Sequence, residues 1–477
     1  GNSFWLKWAQ DSAPALANSM SCLQAPIMAP TSFACRAPGG NHGRCAVGYQ
    51  IGDNCPVPEL LMSLLLHVPD QIAQASSHRL ADRLSRLQDC LKPQLDDNSM
   101  EMGKLDMDEV KSLCAEGVPN EVPALRAALW KVLLGYLPLD TTRWDRVLSR
   151  ARTTYAEFLK DLETDVRGVS EDEHRHSDLQ SILHQVSKDV TRTRTELGFF
   201  GSRLDGAIDE DAPLVFGQCN VVNPQYHYDV LARILLLFAK LNRGVKYAQG
   251  MNELCAPLYY LFSQDPLCHQ SAEADTFFCF NLLMTDMQDA FVETLNDTGA
   301  GMLGRMDRCS KLLKEIDEPL WAHLEVQVHP IMYSCRWIMS MLTQELEMPE
   351  VLRVWDTLLG SLGGPRPLLH DLCVARVIMI RDALLASDDA ECVRLLQRGG
   401  YPSTSVEDAL RLAVHLHNDW SAHLGSAKSN SPYASSISSS ASSSRRGSLS
   451  GWLRTPRTPR TPRDAHRSIR TTRITTP

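Results

Sequence analysis

The 477-residue sequence is poor in aromatic side chains, at 7%, and no two of its fourteen cysteines stand closer than ten positions. Without a CxxC pair, a zinc ribbon and a thioredoxin-type redox site are excluded. Nor does any apolar run reach the ~18 residues a membrane-crossing helix needs. Even Leu231 to Ala239 is interrupted by Arg233, so no integral membrane segment is expected. Phosphate loops of the form GxxxxGK(S/T), HExxH zinc helices, GxSxG elbows and a strand-linked GxGxxG are all missing. These absences disfavour nucleotide hydrolysis by this chain alone, and no cofactor or metal site of its own is expected. The chain begins at Gly1 rather than Met, so targeting is not read from its start.

What is present is 44% apolar and 22% charged, enough for a sizeable core spread over two or three domains. The net charge of −9 is unevenly divided. Residues 426–477 carry ten Lys/Arg against the single acid Asp464, which leaves −18 on residues 1–425. An acidic body argues against nucleic acid as a partner, whereas the basic tail suits transient recruitment to an anionic membrane surface. Cys255, Cys279, Cys335 and Cys373 lie in apolar, helix-like segments where a reduced thiol behaves as a small hydrophobe. A reducing cytoplasmic compartment, with the protein at most peripheral on endomembranes, is the expectation.

Residues 1–56 cluster Pro, Gly, Ala and Cys without a sustained period and read as a poorly ordered extension. Residues 57–104 carry two short amphipathic patterns, Leu60-Leu61-Leu64-Leu65 and Leu80-Leu84-Leu87-Leu91, that predict short helices of no legible role. From 105 to 424 apolar positions fall at helical spacing almost throughout. Val122, Leu125, Leu129 and Val132 form a stripe ending at Gly135, and Val230, Ile234, Leu237 and Leu241 mark a nearly all-apolar helix stopping at Asn242-Arg243-Gly244. Further helices are predicted over 275–294, 336–346, 350–359, 367–386 and 406–420, the last opened by Ser405-x-x-Asp408. With no alternating strand pattern, the fold is predicted all-α. Residues 425–477, rich in Ser, Thr and Arg, cannot repay the entropy of folding and are expected to be disordered. Ser448, Thr455, Thr458 and Thr461 lie there in arginine- or proline-flanked contexts that kinases accept, and their phosphates would offset much of the tail's charge.

Glu171-Asp172-Glu173-His174-Arg175-His176 looks superficially like a metal cluster but reads as a solvated loop. Two polar spots in apolar surroundings are more specific. Asp189 and Arg192, three apart, are expected to share a helix face and so put a carboxylate within reach of a guanidinium; taken alone, this is more often an ordinary ion pair. Tyr247-Ala248-Gln249-Gly250-Met251-Asn252 lies between two strongly apolar segments. It suggests a backbone corner presenting a carboxamide, although a satisfied core hydrogen bond is the commoner meaning.

Together these segments resemble the TBC domain, the catalytic module of GTPase-activating proteins for Rab-type small GTPases. The family's I-x-x-D-x-x-R stands here as Val186, Asp189 and Arg192, and its Y-x-Q-G-M-N is intact as Tyr247, Gln249, Gly250, Met251 and Asn252. Gly117-Val118-Pro119 and the stretch from Ala128 to Pro138 look like the domain's opening; Glu273 to Phe280, Arg336-Trp337 with Gln344-Glu345, and Val354-Trp355-Asp356 look like its C-terminal half. The resemblance covers about residues 105–424 and implies a two-lobed helical domain acting on a Rab GTPase, which brings the GTP and Mg. It implies Arg192 as an arginine finger oriented by Asp189, and Gln249 as a glutamine finger supplied in trans. Gly250 would allow close backbone approach, and Tyr247 and Asn252 would shape the glutamine loop. Arg336, Trp337, Trp355 and Asp356 would belong to the core. The sequence departs from the family after the arginine, where a proline is common but Thr193-Arg194-Thr195-Glu196 follows, leaving Arg194 as a rival arginine. A non-catalytic scaffold of the same shape, holding a small GTPase or trafficking partner, is the alternative reading; retention of both Arg192 and Gln249 favours activation.

Overall fold

A computed structural model describes residues 64, 78–91, 104–167, 173–205, 219–291, 301–361, 364–397 and 405–429. The predicted extension over 1–56 and the candidate phosphosites Ser448, Thr455, Thr458 and Thr461 lie outside these residues. Among them the regular structure is helical, with only two isolated bridges, Lys104 to Asp140 and Arg203 to Tyr226. The helices are α1 His78–Asp89, α2 Met107–Ala115, α3 Pro123–Leu133, α4 Trp144–Val166, α5 Glu173–Val190, α6 His227–Leu241, α7 Met251–Ser263 and α8 Ala272–Met287. They continue as α9 Met302–Ile316, α10 Glu318–Gln327, α11 Ser334–Met339, α12 Met348–Gly360, α13 Pro365–Met379, α14 Arg381–Leu385, α15 Asp389–Gln397 and α16 Val406–Ser429.

Since Val230 to Ala239 has Arg233 as its one polar side chain, α6 has no face to offer water, and every residue of that run is buried. Helices α5, α7 and α8 pack around it, and α4 touches it as well, with Asp165 2.9 Å from Lys240 Nζ. The second half is organised by α13, which packs on α9, α11, α12 and α16. Helix α2 lies against α12, and α3 reaches both α7 and α12, so the N-terminal helices join the two halves. Backbone meets backbone closely at Gly360, where a Cβ would stand 2.7 Å from the Lys111 carbonyl oxygen and 2.9 Å from the Ala115 nitrogen.

Two buried acids anchor these junctions. Asp356 of α12 accepts from Trp130 Nε1 at 2.7 Å, the Val118 amide at 2.7 Å and Arg126 Nε at 3.1 Å, while Trp355 stacks on Trp130 at 5.7 Å between ring centroids. Burial pushes the Asp356 carboxyl up, against the pull of Arg126. Asp275 of α8 takes Lys131 Nζ at 2.7 Å, Tyr136 Oη at 2.9 Å and Arg152 Nη2 at 3.0 Å. Burial raises this carboxyl too, but Lys131 and Arg152 together outweigh it and hold it at about 2.

The predicted boundaries shift where tertiary contacts or backbone strain intervene. The helix predicted over 336–346 is broken: α11 ends at Met339, and Met341 and Leu342 adopt left-handed φ of 49° and 64° before a short turn at Thr343–Glu345. The run predicted over 367–386 divides at Ile380 into α13 and α14. Glu173 to His176 is not a loop but opens α5, with His176 Nδ1 2.9 Å from the Asp165 carbonyl oxygen. Helix α16 continues to Ser429, past the expected end of the ordered body at 424. The ten described cysteines are all unpaired, and burial pushes the Cys90 and Cys219 thiols to about 12.

Candidate functional site

Asp189 sits in the last turn of α5, which ends at Val190, so Arg192 lies in the turn beyond the helix rather than on a shared helical face. The turn is closed locally. The Arg192 amide donates to the Asp189 carbonyl at 3.3 Å, and Thr193 Oγ1 donates to the same carbonyl at 2.8 Å. The side chain of Arg192 is 41% exposed while that of Asp189 is 5% exposed, and Nη2 of the arginine donates to Asp189 Oδ1. A charge-assisted bond from a buried carboxylate thus holds one edge of the guanidinium, leaving the rest at the surface.

The other carboxylate oxygen of Asp189 accepts from Tyr247 Oη at 2.7 Å, across 58 residues of sequence. Tyr247 is buried, and both burial and the adjacent Asp189 charge push its phenol well above its ordinary range, so it stays a donor. Two residues on, Gln249 is half-buried, and among the described residues nothing hydrogen-bonds its carboxamide. Gly250 follows at φ +101°, the left-handed region that glycine enters without a Cβ penalty, and starts α7. Its amide donates to Asn252 Oδ1 at 3.2 Å; Asn252 Nδ2 donates to Thr193 Oγ1 at 2.9 Å and to Glu253 Oε1 at 3.2 Å. Asn252 therefore ties the glutamine loop to the arginine turn by a second route.

Arg194 differs from Arg192. It is 8% exposed, at φ +50°, and its Nη1 donates to the carbonyls of Thr343 and Leu346, the latter at 2.9 Å, with Glu196 Oε1 2.9 Å from Nε. Of the two arginines, the one fitting the family spacing is presented and the other is interred. Arg336 pairs with Glu345 at 2.6 Å, and Trp337, Trp355 and Asp356 are fully buried, matching their expected place in the core. Sequence reasoning missed the parts played by Thr193 and Glu253, and read Arg194 as a rival finger and not as an anchor. Thr193 is an ordinary turn residue until its Asn252 partner is known, and the roles of the other two rest on contacts distant in sequence.

An all-α body that brings a held arginine turn and a glycine-cornered glutamine loop together defines the class, and comparison with known proteins agrees. This chain belongs to the TBC family: residues 201–385 match the Rab-GTPase-TBC domain. It is 30% identical over 380 residues to TBC1 domain family member 13 of Mus musculus and of Homo sapiens, a match spanning 65% of this chain and 94% of each relative. The GTPase-activating protein GYP1 of Saccharomyces cerevisiae is 28% identical over 264 residues, covering 51% of this chain and 36% of that protein. The crystal structure of the Ypt/Rab-GAP domain of Gyp1p superimposes with a TM-score of 0.57 at 24% identity, covering 72% of this chain and 99% of that one, which shows the shared fold.

Proposed function

We propose that this chain accelerates GTP hydrolysis by a Rab-family small GTPase and thereby regulates vesicle trafficking, acting from the cytoplasm with transient recruitment to endomembranes. Such GTPases are slow alone because charge building on the transferred phosphoryl group is poorly compensated and the attacking water is loosely placed. Arg192 supplies the first missing function, its always-charged fork donating to phosphate oxygens as charge accumulates. Asp189 fixes the direction of that fork beforehand, so that little ordering is left for the moment of reaction. Gln249 supplies the second, its carboxamide orienting the water on a nucleotide and Mg that the partner brings.

The observation that supports this reading best is Asp189 itself, which accepts from Arg192 on one oxygen and from Tyr247 on the other. A scaffold without activity has no need to hold an arginine half-exposed on a buried carboxylate. The test is phosphate release from a panel of GTP-loaded Rab proteins with the full chain. Since an arginine finger contributes a factor of ~10³ to 10⁵, or about 4 to 7 kcal/mol of barrier, Arg192→Ala should nearly abolish acceleration, and Gln249→Ala should weaken it strongly. Unchanged rates in both variants would refute the reading. Complex formation promoted by aluminium or beryllium fluoride would support it independently, because a catalytic partner prefers the transition-state mimic.

A further inference from the structure

We infer that Arg194 is a positioning residue, a clasp that fastens the arginine turn to the C-terminal half of the domain; its catalytic consequence rests on the function proposed above. Three separate elements meet at this side chain. It leaves the turn two residues after Arg192, so any freedom at 194 passes directly into the backbone that carries the finger. Its Nη1 donates to two backbone carbonyls, Thr343 and Leu346, 149 and 152 residues away. Its charge is answered by Glu196 at 2.9 Å and by buried Glu253, the neighbour of Asn252 at the start of α7.

Left-handed backbone at residues other than glycine is concentrated around the clasp. Four non-glycine residues among those described have positive φ: Arg194, Lys246, Met341 and Leu342. All four border the site. Arg194 is in the finger turn, Lys246 immediately precedes Tyr247, and Met341 and Leu342 lead into Thr343, whose carbonyl the clasp holds. Left-handed backbone at such residues persists only where the surroundings over-determine it. The sequence explains why the restraint is needed. No proline between Thr193 and Gly198 fixes φ in the chain after Arg192. The buried Arg194 side chain, holding two carbonyls through one nitrogen, is the restraint this turn has.

Two measurements on the full chain test this. Amide hydrogen exchange compares wild type with Arg194→Met, which removes the charge and the donor, and with Arg194→Lys, which keeps the charge but shortens the reach to the two carbonyls. The clasp predicts faster exchange at residues 193–197 and 343–346 together, by roughly tenfold or more in Arg194→Met and less in Arg194→Lys. Exchange unchanged in either segment overturns it. Steady-state kinetics on a responsive Rab then separate positioning from mere stability: kcat should fall roughly ten- to hundredfold with KM within about twofold, the signature of a misplaced group. In an Arg192→Ala background the same substitution should cost nothing further, since the group it positions is gone. A full additional loss there, or a change in KM alone, overturns the positioning role. If Arg194→Met does not fold, Arg194→Lys carries both comparisons, with an intermediate kcat expected and a wild-type kcat overturning the proposal. A wild type inactive on every Rab tested sinks the functional reading and the positioning role with it, whereas an active wild type with an unaffected Arg194→Met sinks the positioning role alone.

Discussion

Tyr247 donates its phenol to the one oxygen of Asp189 that Arg192 leaves unclaimed. Removing the hydroxyl in Tyr247→Phe keeps the ring's packing but strips a donor from a buried carboxylate, which costs about 1 to 3 kcal/mol. Denaturant unfolding should show that loss, and activation should fall with it, because the glutamine loop loses its bond to the arginine's holder. Full activation by a destabilised Tyr247→Phe would show that the bond is structural only.

Gly250 and Gly135 form a matched pair for testing the glutamine corner. Both have positive φ, +101° and +82°, and a Cβ meets nothing closer than 3.7 Å at the first and nothing within 4 Å at the second. Substitution by Ala therefore imposes backbone strain without a clash at either, about 1 to 2 kcal/mol each. Equal losses of stability are expected, with loss of activation only for Gly250→Ala. Equal activation in the two variants would detach the corner from function.

Asp275 makes stability depend on acid in a defined window. Its carboxyl is held at about 2, below the unfolded value, so its contribution is complete above the ordinary carboxylate range and is lost as pH falls through about 2. Asp275→Asn leaves Lys131 and Arg152 without their anion, at a cost of about 3 to 5 kcal/mol near neutrality. Urea unfolding across pH should show the gap between wild type and variant narrowing below about pH 4. A gap independent of pH would mean that the charge is not what matters.

Gly360→Ala is a pure packing test. The added methyl would sit 2.7 Å from a backbone oxygen of α2, which cannot swing aside as a side chain can. Overpacking of this kind costs about 1 to 3 kcal/mol, to be read as a lowered thermal midpoint.

Asp189 with Arg192, and Tyr247 through Asn252, are short local strings that can be picked out of the sequence, but on spacing alone an ordinary ion pair and a core hydrogen bond are the commoner meanings, and it is the resemblance to the TBC domain that joins them into one candidate site. The all-apolar run of α6 likewise declared a central helix. What stayed hidden depends on partners far along the chain. The stripe Val122, Leu125, Leu129 and Val132 predicts a helix with one wet face, yet α3 is buried from Ala124 to Leu133, because Asp356 and Asp275 neutralise Arg126 and Lys131. Periodicity cannot register a charge that is paired 230 residues away. The break at Met341 and Leu342 escaped for the same reason, since nothing in those side chains favours left-handed backbone, and Arg194 read only as a rival to Arg192.

The segment that matches the Rab-GTPase-TBC domain, 201–385, begins beyond Arg192 and contains both Asp275 and Asp356. The cations that quench those acids, Arg126, Lys131 and Arg152, all come from earlier in the chain. Excised at those limits, this stretch would lose Arg192, the proposed finger, and would leave two stranded anions in its own interior. The unit that neutralises its own interior is therefore longer than the matched segment, and the chain before it supplies the cations for these two acids.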